Sequence, residues 1–241
     1  MKATERWQSD RMQQPISLAR WGHFGTPVLV FPTAGGDAEE IERNNLVGAC
    51  WDLVDSGQVK LYSCDSVAGR ALAAGVGTPA YRMWLLNQYH QAVVNEVVPA
   101  IFADLGGHHP LIVTAGASIG AFNAVALICR HPEVFGAAIG MSGTYRLQRF
   151  LDGQYSDDLY FASPLDFLPG IEGPQLDTLR QRQVILASGE GAWEDIGESW
   201  AMADALGRKG VPNRVDSWGP EFEHDWATWW RMLPQYLGEV C

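Results

Sequence analysis

The sequence predicts an α/β fold whose sheet is mainly parallel and covered by helices on both faces. Short apolar runs rich in Val, Ile and Leu alternate along the chain with longer segments of helical periodicity, the order expected of strands joined by crossover helices. The length of 241 residues suits one domain, 1–241, and nothing in the composition marks a second one. We therefore expect a single domain built around one sheet.

The first half of the chain carries both strand and helix signals. The acidic stretch 37–41 favours a helix start, because acidic side chains stabilise helix N-termini. In 80–105, apolar side chains recur at intervals of three and four, which predicts a long helix. The predicted elements are one or two short strands in 4–22 around the turn Gln13-Gln14-Pro15, a strand at 27–31, a helix at 37–55, a strand at 59–64, a loop at 69–79 and a helix at 80–105.

The second half alternates in the same way, except in 145–182. That segment mixes Asp, Tyr, Phe, Pro and Leu without a clear period, and a loop of this length predicts a lid or a pocket wall. The predicted elements are a strand leading into Gly116, a helix leading out of Gly120, strands at 136–143, 183–188 and 213–218, and helices at 198–209 and 226–237.

Composition argues against several classes of protein. Lys and Arg number 17 against 28 Asp and Glu, a formal net charge of −11 with no basic run, so neither nucleic acid nor an anionic membrane is expected as a partner. We expect no targeting segment and no membrane insertion, because no apolar stretch is long enough. The four cysteines have no metal-ligand spacing and predict free, buried thiols of a cytoplasmic protein; they are Cys50, Cys64, Cys129 and Cys241.

The pattern Gly116-x-Ser118-x-Gly120 lies between an apolar, β-branched run and a helix of small apolar residues. This is the strand–turn–helix context in which G-x-S-x-G marks a nucleophilic serine. A turn that lifts a serine above a sheet is so tight that side chains two residues away would collide, which favours glycine there. At the start of the helix, the N–H of Ile119 is free to face a developing oxyanion. A strand-to-helix turn with a chance serine is the structural alternative.

An activated serine needs a base, and in this fold class the base follows the serine late in the chain. Four of the six histidines precede Ser118, and His131 lies in a proline turn directly after the following helix. Only His224 lies in a loop between a late strand and the closing helix. We predict His224 as the base; a helix-cap residue among acidic neighbours is the alternative.

The acid that orients the base is expected in the loop after strand 183–188. Three carboxylates are available there, Glu190, Glu194 and Asp195, and the residues alone do not choose among them. Glu190 is close enough to the strand end to stabilise the loop, and Asp195 is placed to cap the next helix.

The second oxyanion donor is expected in the small-residue loop after strand 27–31. Small residues allow the backbone to approach a substrate oxygen closely. We assign this role to the N–H of Ala34, with Thr33 and Gly35 as alternatives. An ordinary glycine turn that opens a helix would use the same residues.

Taken together, these segments resemble the putative esterase family of the α/β-hydrolase superfamily, which includes esterase D, enterochelin and feruloyl esterases and mycolyltransferases. The resemblance covers nearly the whole chain. It rests on the order of the segments 27–36, 116–120, Met141-Ser142-Gly143 and His224-Asp225-Trp226. Its specific parts are the turn 116–120, the Arg130-His131-Pro132-Glu133-x-Phe135 turn and His224-Asp225-Trp226. It implies a serine esterase with a Ser–His–acid triad, an acyl-enzyme intermediate and no metal or organic cofactor.

The chain departs from the family pattern at the acid. The position about three residues after the strand-end glycine, where the family places it, is Ala192. An apparent insertion of Gly191 and Ala192 would shift the acid to Glu194, so the resemblance favours Glu194, then Asp195.

The expected function is hydrolysis of a small to medium carboxylic ester. Acyl transfer by the same triad and a non-catalytic binding protein of the same fold are the alternatives. Exposed aromatic side chains would allow a homo-oligomer, although no segment identifies an interface. The candidate aromatic pocket residues are Tyr155, Tyr160, Phe161, Phe167, Trp193 and Trp226.

Overall fold

A computed structural model describes all 241 residues and contains one eight-stranded sheet. The strands are β1 Lys2–Ser9, β2 Gln14–Trp21, β3 Thr26–Phe31, β4 Val59–Cys64, β5 Ile112–Ala117, β6 Phe135–Met141, β7 Gln183–Ser188 and β8 Asn213–Ser217. Their order in the sheet is β1-β2-β4-β3-β5-β6-β7-β8. The pairs β1/β2 and β2/β4 are antiparallel, and all other neighbouring strands are parallel. The mainly parallel α/β fold predicted from the sequence is confirmed.

Helices cover both faces of this sheet. They are α1 Glu40–Arg43, α2 Leu46–Ala49, α3 Trp51–Asp55, α4 Val67–Ala74, α5 Pro79–Ala92, α6 Val98–Asp104, α7 Ile119–Arg130, α8 Asp157–Ala162, α9 Pro164–Phe167, α10 Gly173–Leu179, α11 Ile196–Arg208 and α12 Trp226–Val240. A π-helical turn, Val93–Val97, joins α5 to α6, and two single 3₁₀ turns occupy Gln148–Phe150 and Leu168–Gly170.

The sheet separates two apolar cores because side chains alternate in direction along each strand. In β3, Leu29 and Phe31 join a cluster of 47 buried residues, to which α4–α11 contribute. Val28 and Val30 join a cluster of 25 on the opposite face, built with α1–α3 and α12. Since β3 and β5–β7 are parallel, their carboxyl ends meet at one edge of the sheet, and the loops that follow them are neighbours there.

Three predicted segments differ in detail. The helix predicted at 37–55 is divided into α1, α2 and α3. Asn45, in a left-handed conformation (φ 59°) that asparagine tolerates, separates α1 from α2, and Cys50 (φ −96°, ψ 7°) separates α2 from α3. The prediction of a loop at 69–79 was wrong. The alanine-rich first part of this segment belongs to helix α4, which ends before Gly75, a residue with a left-handed backbone. The irregular segment 145–182 contains three short helices, and its role as a lid stays a prediction.

The long helix predicted at 80–105 is present, but its middle is π-helical. Pro99 has no N–H to donate to the preceding turn, and a local change of helical pitch accommodates this loss. The N-terminal strands are also longer than predicted. They form a hairpin of two eight-residue strands, and Pro15 lies within β2 opposite Gln8.

All four cysteines are free thiols, three of them buried. Burial raises the pKa of Cys50, Cys64 and Cys129 to about 12, which keeps these thiols protonated at neutral pH. No helix of the structure has the length and apolar character needed to cross a membrane. The cytoplasmic location and the oligomeric state stay predictions from the sequence.

A buried polar pair joins α5 to α7, the helix that follows Ser118. The Nε2 atom of His90 lies 2.9 Å from Oδ1 of Asn123, and both side chains are buried. Burial lowers the pKa of His90 to about 4, so the ring is neutral in the folded protein at pH 7.

This pair predicts how stability depends on pH. Between the ordinary histidine pKa near 6.5 and the folded value near 4, the unfolded chain binds more protons at position 90 than the folded chain. The free energy of unfolding therefore falls as the pH is lowered through this window, by up to about 3 kcal/mol from this residue. His90→Gln, which does not titrate, flattens that part of the profile in urea unfolding at pH 7 to 4.5. A variant at exposed His23, His23→Gln, keeps the wild-type profile. An unchanged profile in His90→Gln would contradict the assignment.

Candidate active site

Ser118 lies on the turn between β5 and α7 with a strained backbone, φ 58° and ψ −120°. Such conformations cost about 1–3 kcal/mol in non-glycine residues and persist where the surroundings fix them. Here the end of β6 fixes the turn. The N–H of Ser118 donates to the carbonyl oxygen of Met141 (3.0 Å), and its own carbonyl accepts from the N–H of Thr144 (3.2 Å). The serine is therefore held at the carboxyl edge of the sheet.

Space explains the two glycines of the motif. A β-carbon on Gly116 would lie 2.4 Å from the carbonyl carbon of Gly120, and one on Gly120 would lie 2.4 Å from the carbonyl oxygen of Phe31. Neither glycine has a positive φ, so both are required by the close approach of backbones and not by an unusual conformation. This contact brings the first turn of α7 against the loop 32–39 after β3.

The loop 32–39 contains free N–H groups at two of the three positions considered from the sequence. Glu40 accepts from both the N–H and the hydroxyl of Thr33, each at 2.8 Å, so the Thr33 N–H is already used. The N–H groups of Ala34 and Gly35 have no acceptor. Ile119, the first residue of α7, has no intrahelical acceptor for its N–H, and no turn or side chain takes it.

Helix α4, which the sequence did not reveal, supports this loop. Arg70 donates to the carbonyl oxygen of Gly36 at 2.9 Å. A β-carbon at Gly69 would lie 3.1 Å from the carbonyl oxygen of Ala34, so the helix packs directly against the loop. The alanine-rich composition and the Ser66 and Gly75 boundaries were the signals that could have predicted this helix.

His224 faces one of the three candidate carboxylates. Its Nδ1 atom lies 3.5 Å from Oε2 of Glu194, whose side chain is only 1% exposed. Asp195 instead caps α11, accepting from the N–H of Gly197, and Glu190 accepts from the hydroxyl of Ser217. Glu194 is thus the candidate that the structure brings to the imidazole.

Hydrogen bonds from serine hydroxyls hold the Glu194 carboxylate. Ser142 donates to its Oε1 atom at 2.5 Å, and the Ser188 hydroxyl lies between its Oε2 atom, at 3.2 Å, and the carbonyl oxygen of Gly189, at 2.9 Å. The indole N–H of Trp229 donates to the Ser142 oxygen at 2.9 Å, and its ring packs edge-on against His224. Ser142 is itself buried with a positive φ of 47°, a conformation that these contacts maintain.

Backbone hydrogen bonds join the loop of Glu194 to the loop of His224. The N–H of Gly191 donates to the carbonyl oxygen of Phe222 (2.9 Å), and the N–H of His224 donates to that of Ala192 (3.0 Å). Gly191 and Ala192 are the two residues that the sequence predicts to be an insertion before the acid. In this chain they form the contacts that set the carboxylate beside the imidazole.

The Ser118 hydroxyl makes no hydrogen bond to His224 or to the first turn of α7. In structures without substrate such contacts are commonly longer than in the reacting complex. His224 and Thr144, the residue bonded to the Ser118 carbonyl, line the same cleft of about 460 Å³.

The lining of this cleft is almost entirely polar. Of the six candidate aromatic residues only Trp193 lines it; Phe167 lies in the larger core, and Phe161 stacks on Arg130 with the guanidinium 5.1 Å from its ring. Sequence reasoning missed six lining side chains, which are those of Ser142, Thr144, Arg146, Gln148, Arg149 and Glu198. Ser142 belongs to the motif Met141-Ser142-Gly143, to which the sequence assigns no role, and the other five carry no motif.

Comparison with known proteins identifies the family. Residues 38–239 match the model of the family described as "Putative esterase". No curated protein sequence matches the chain. The structure is similar to that of a ferulic acid esterase, with a TM-score of 0.74, 16% identity and coverage of 100% of this chain and 97% of that one.

Two further structures show the same fold. An S-formylglutathione hydrolase from Agrobacterium tumefaciens has a TM-score of 0.72 at 11% identity and covers 99% of this chain and 94% of its own. Fluorophosphonate-binding serine hydrolase F from Staphylococcus aureus has a TM-score of 0.68 at 12% identity, with coverage of 100% and 98%. The fold is that of the α/β-hydrolases. The chain belongs to the "Putative esterase" family and is an ester hydrolase.

The crowding at the turn predicts a contrast between two helical glycines. Gly120→Ala forces a β-carbon into the backbone of β3 and lowers the free energy of unfolding by about 1–3 kcal/mol. Gly207 lies in α11, where a β-carbon would meet no atom within 4 Å, so Gly207→Ala raises the free energy of unfolding by about 0.5–1 kcal/mol. Urea unfolding measures both. Equal effects of the two substitutions would show that space at Gly120 is not the constraint.

Proposed function

We propose that this esterase is a serine carboxylic-ester hydrolase that acts on a small to medium ester through Ser118, His224 and Glu194. The observation that carries the proposal is the position of His224. Its Nδ1 atom faces the buried Glu194 carboxylate, and its ring lines a cleft together with Thr144, whose N–H donates to the carbonyl oxygen of Ser118. A nucleophile, an imidazole and an orienting carboxylate are the groups that serine ester hydrolysis requires.

In the proposed reaction, Nε2 of His224 accepts the Ser118 proton while Oγ attacks the ester carbonyl carbon. The free N–H groups of Ile119 and Ala34 stabilise the resulting oxyanion. The tetrahedral intermediate then loses the alcohol, which takes the proton from His224. Water attacks the acyl-Ser118 carbonyl carbon, its proton passes to His224 and on to Oγ of Ser118, and the carboxylic acid leaves.

Glu194 is proposed as the acid because of its contacts. The Ser142 oxygen accepts from Trp229, so its single hydroxyl proton is left to donate to Oε1 of Glu194. This leaves Oε2 facing Nδ1 of His224. A fixed, buried negative charge at this point favours the tautomer with a proton on Nδ1 and stabilises the imidazolium that forms during the reaction.

Hydrolysis is favoured over acyl transfer by the character of the cleft. Trp193 is its single hydrophobic lining residue, so the cleft offers no dry pocket that would hold an alcohol acceptor in place of water. A non-catalytic binding protein would not need the buried carboxylate beside His224, whose burial has a desolvation cost.

The three carboxylates give a direct test. Glu194→Gln lowers kcat on 4-nitrophenyl esters, acetate to octanoate, by about 10³–10⁴-fold, because the imidazole loses its orienting charge. Ser118→Ala lowers turnover to the rate measured without enzyme. Asp195→Asn retains the cap of α11, and Glu190 makes no hydrogen bond with His224 or Glu194. The kcat values of Asp195→Asn and Glu190→Gln therefore stay within about twofold of the wild-type value.

Circular dichroism controls for folding in each variant. Full activity of Glu194→Gln, or loss of activity in Asp195→Asn instead, would contradict the assignment of the acid. Persistent turnover by Ser118→Ala would contradict the proposed nucleophile.

A further inference from the structure

The cleft beside His224 contains one cationic side chain without a carboxylate partner. Arg149 follows β6 on the 3₁₀ turn Gln148–Phe150. Its guanidinium forms no salt bridge. Its contacts within the chain are a long hydrogen bond of 3.5 Å to the Thr144 hydroxyl and the ring of Phe150 at 4.8 Å. Most donors of this group are therefore free.

The two carboxylates that line the cleft differ in how they are paired. Glu198 pairs with Arg146 at 3.2 Å through Oε1, and its Oε2 atom accepts the N–H groups of Tyr145 and Arg146 at 2.7 and 2.8 Å. Asp195 accepts from the N–H of Gly197 and forms no salt bridge. Arg149 is thus the one cationic side chain of the cleft without a carboxylate partner, and its donors are available to a ligand.

This charge stands out because the protein is strongly acidic. With a net charge of −11, the molecule as a whole repels anions, so an anionic ligand needs a local cation to bind. A guanidinium offers paired N–H donors in one plane, which fit the two oxygens of a carboxylate.

Trp193 lines the same cleft from the loop after β7. Its side chain is 91% exposed, and its backbone is left-handed with φ 66°. This conformation is costly for a bulky residue and is maintained by the loop that also positions Glu194. The ring is a free apolar face that a planar group of a ligand would cover.

We propose that the natural substrate is an anionic ester. A carboxylate on the half of the ester that occupies the cleft pairs with Arg149, and a planar apolar part of the same half lies against Trp193. His224 lines the cleft, so the ester bond of a ligand held in this way lies near the imidazole. The inference rests on the proposed function, because it names the substrate class of that site.

The test uses two pairs of esters that differ only in whether one carboxyl group is methylated. The first pair, 4-acetoxybenzoate and methyl 4-acetoxybenzoate, carries the charge on the alcohol half. The second, 4-nitrophenyl hydrogen adipate and 4-nitrophenyl methyl adipate, carries it on the acyl half. For each pair, the ratio of kcat/KM for the anionic ester to kcat/KM for the neutral one is measured in wild type and in Arg149→Gln.

We expect this ratio to fall by about 10- to 100-fold in Arg149→Gln for one of the two pairs, and the responding pair identifies the half that binds. Arg208→Gln is the matched control: Arg208 is exposed on α11, pairs only with Asp204, and its loss leaves both ratios at the wild-type value. Trp193→Gly, which suits the left-handed backbone, raises KM for the preferred anionic ester about three- to tenfold.

Two results would overturn the inference, and they are distinguishable. If the neutral esters are hydrolysed and both ratios are the same in wild type and Arg149→Gln, the proposed function stands and the anionic substrate class is wrong. If wild type hydrolyses none of the four esters, the proposed function fails and the substrate class falls with it.

Discussion

The backbone around Ser118 is packed so closely that neither Gly116 nor Gly120 has room for a β-carbon. This contact sets the start of α7 against Phe31 at the end of β3, and it brings the free N–H of Ile119 close to the loop that contains Ala34. The strained serine is then fixed from the other side by the carbonyl oxygen of Met141. The proposed nucleophile and both candidate oxyanion donors therefore depend on one dense contact between three neighbouring strands.

A second set of contacts positions the side chains of Glu194 and His224. A carboxylate with 1% exposure needs hydrogen-bond donors, and Ser142 supplies one because Trp229 directs its proton towards Glu194. The two backbone hydrogen bonds between the loops of Glu194 and His224 then fix the distance between their side chains. The burial of the Glu194 carboxylate, its bond from Ser142 and these backbone hydrogen bonds together favour Glu194 over the two neighbouring carboxylates.

Sequence patterns predicted the sheet, its parallel character and the turn at Ser118, because periodicity and glycine spacing are local signals. They could not choose among Glu190, Glu194 and Asp195, since that choice depends on which carboxylate the fold buries. They also missed α4, whose small residues resemble those of a loop, and Arg149, whose significance comes from the lack of an ion pair in the folded protein. Ser142 was visible in a motif, but its role depends on Trp229, which is 87 residues away.

Ser118 is proposed as the nucleophile of this esterase. A fluorophosphonate forms a stable covalent bond with an activated serine, so intact mass spectrometry and peptide mapping after labelling show whether Ser118 is that serine. We expect one adduct per chain, on the peptide that contains Ser118, with esterase activity lost in proportion to labelling. An adduct on another residue with Ser118 unmodified, or full activity in completely labelled protein, would contradict it.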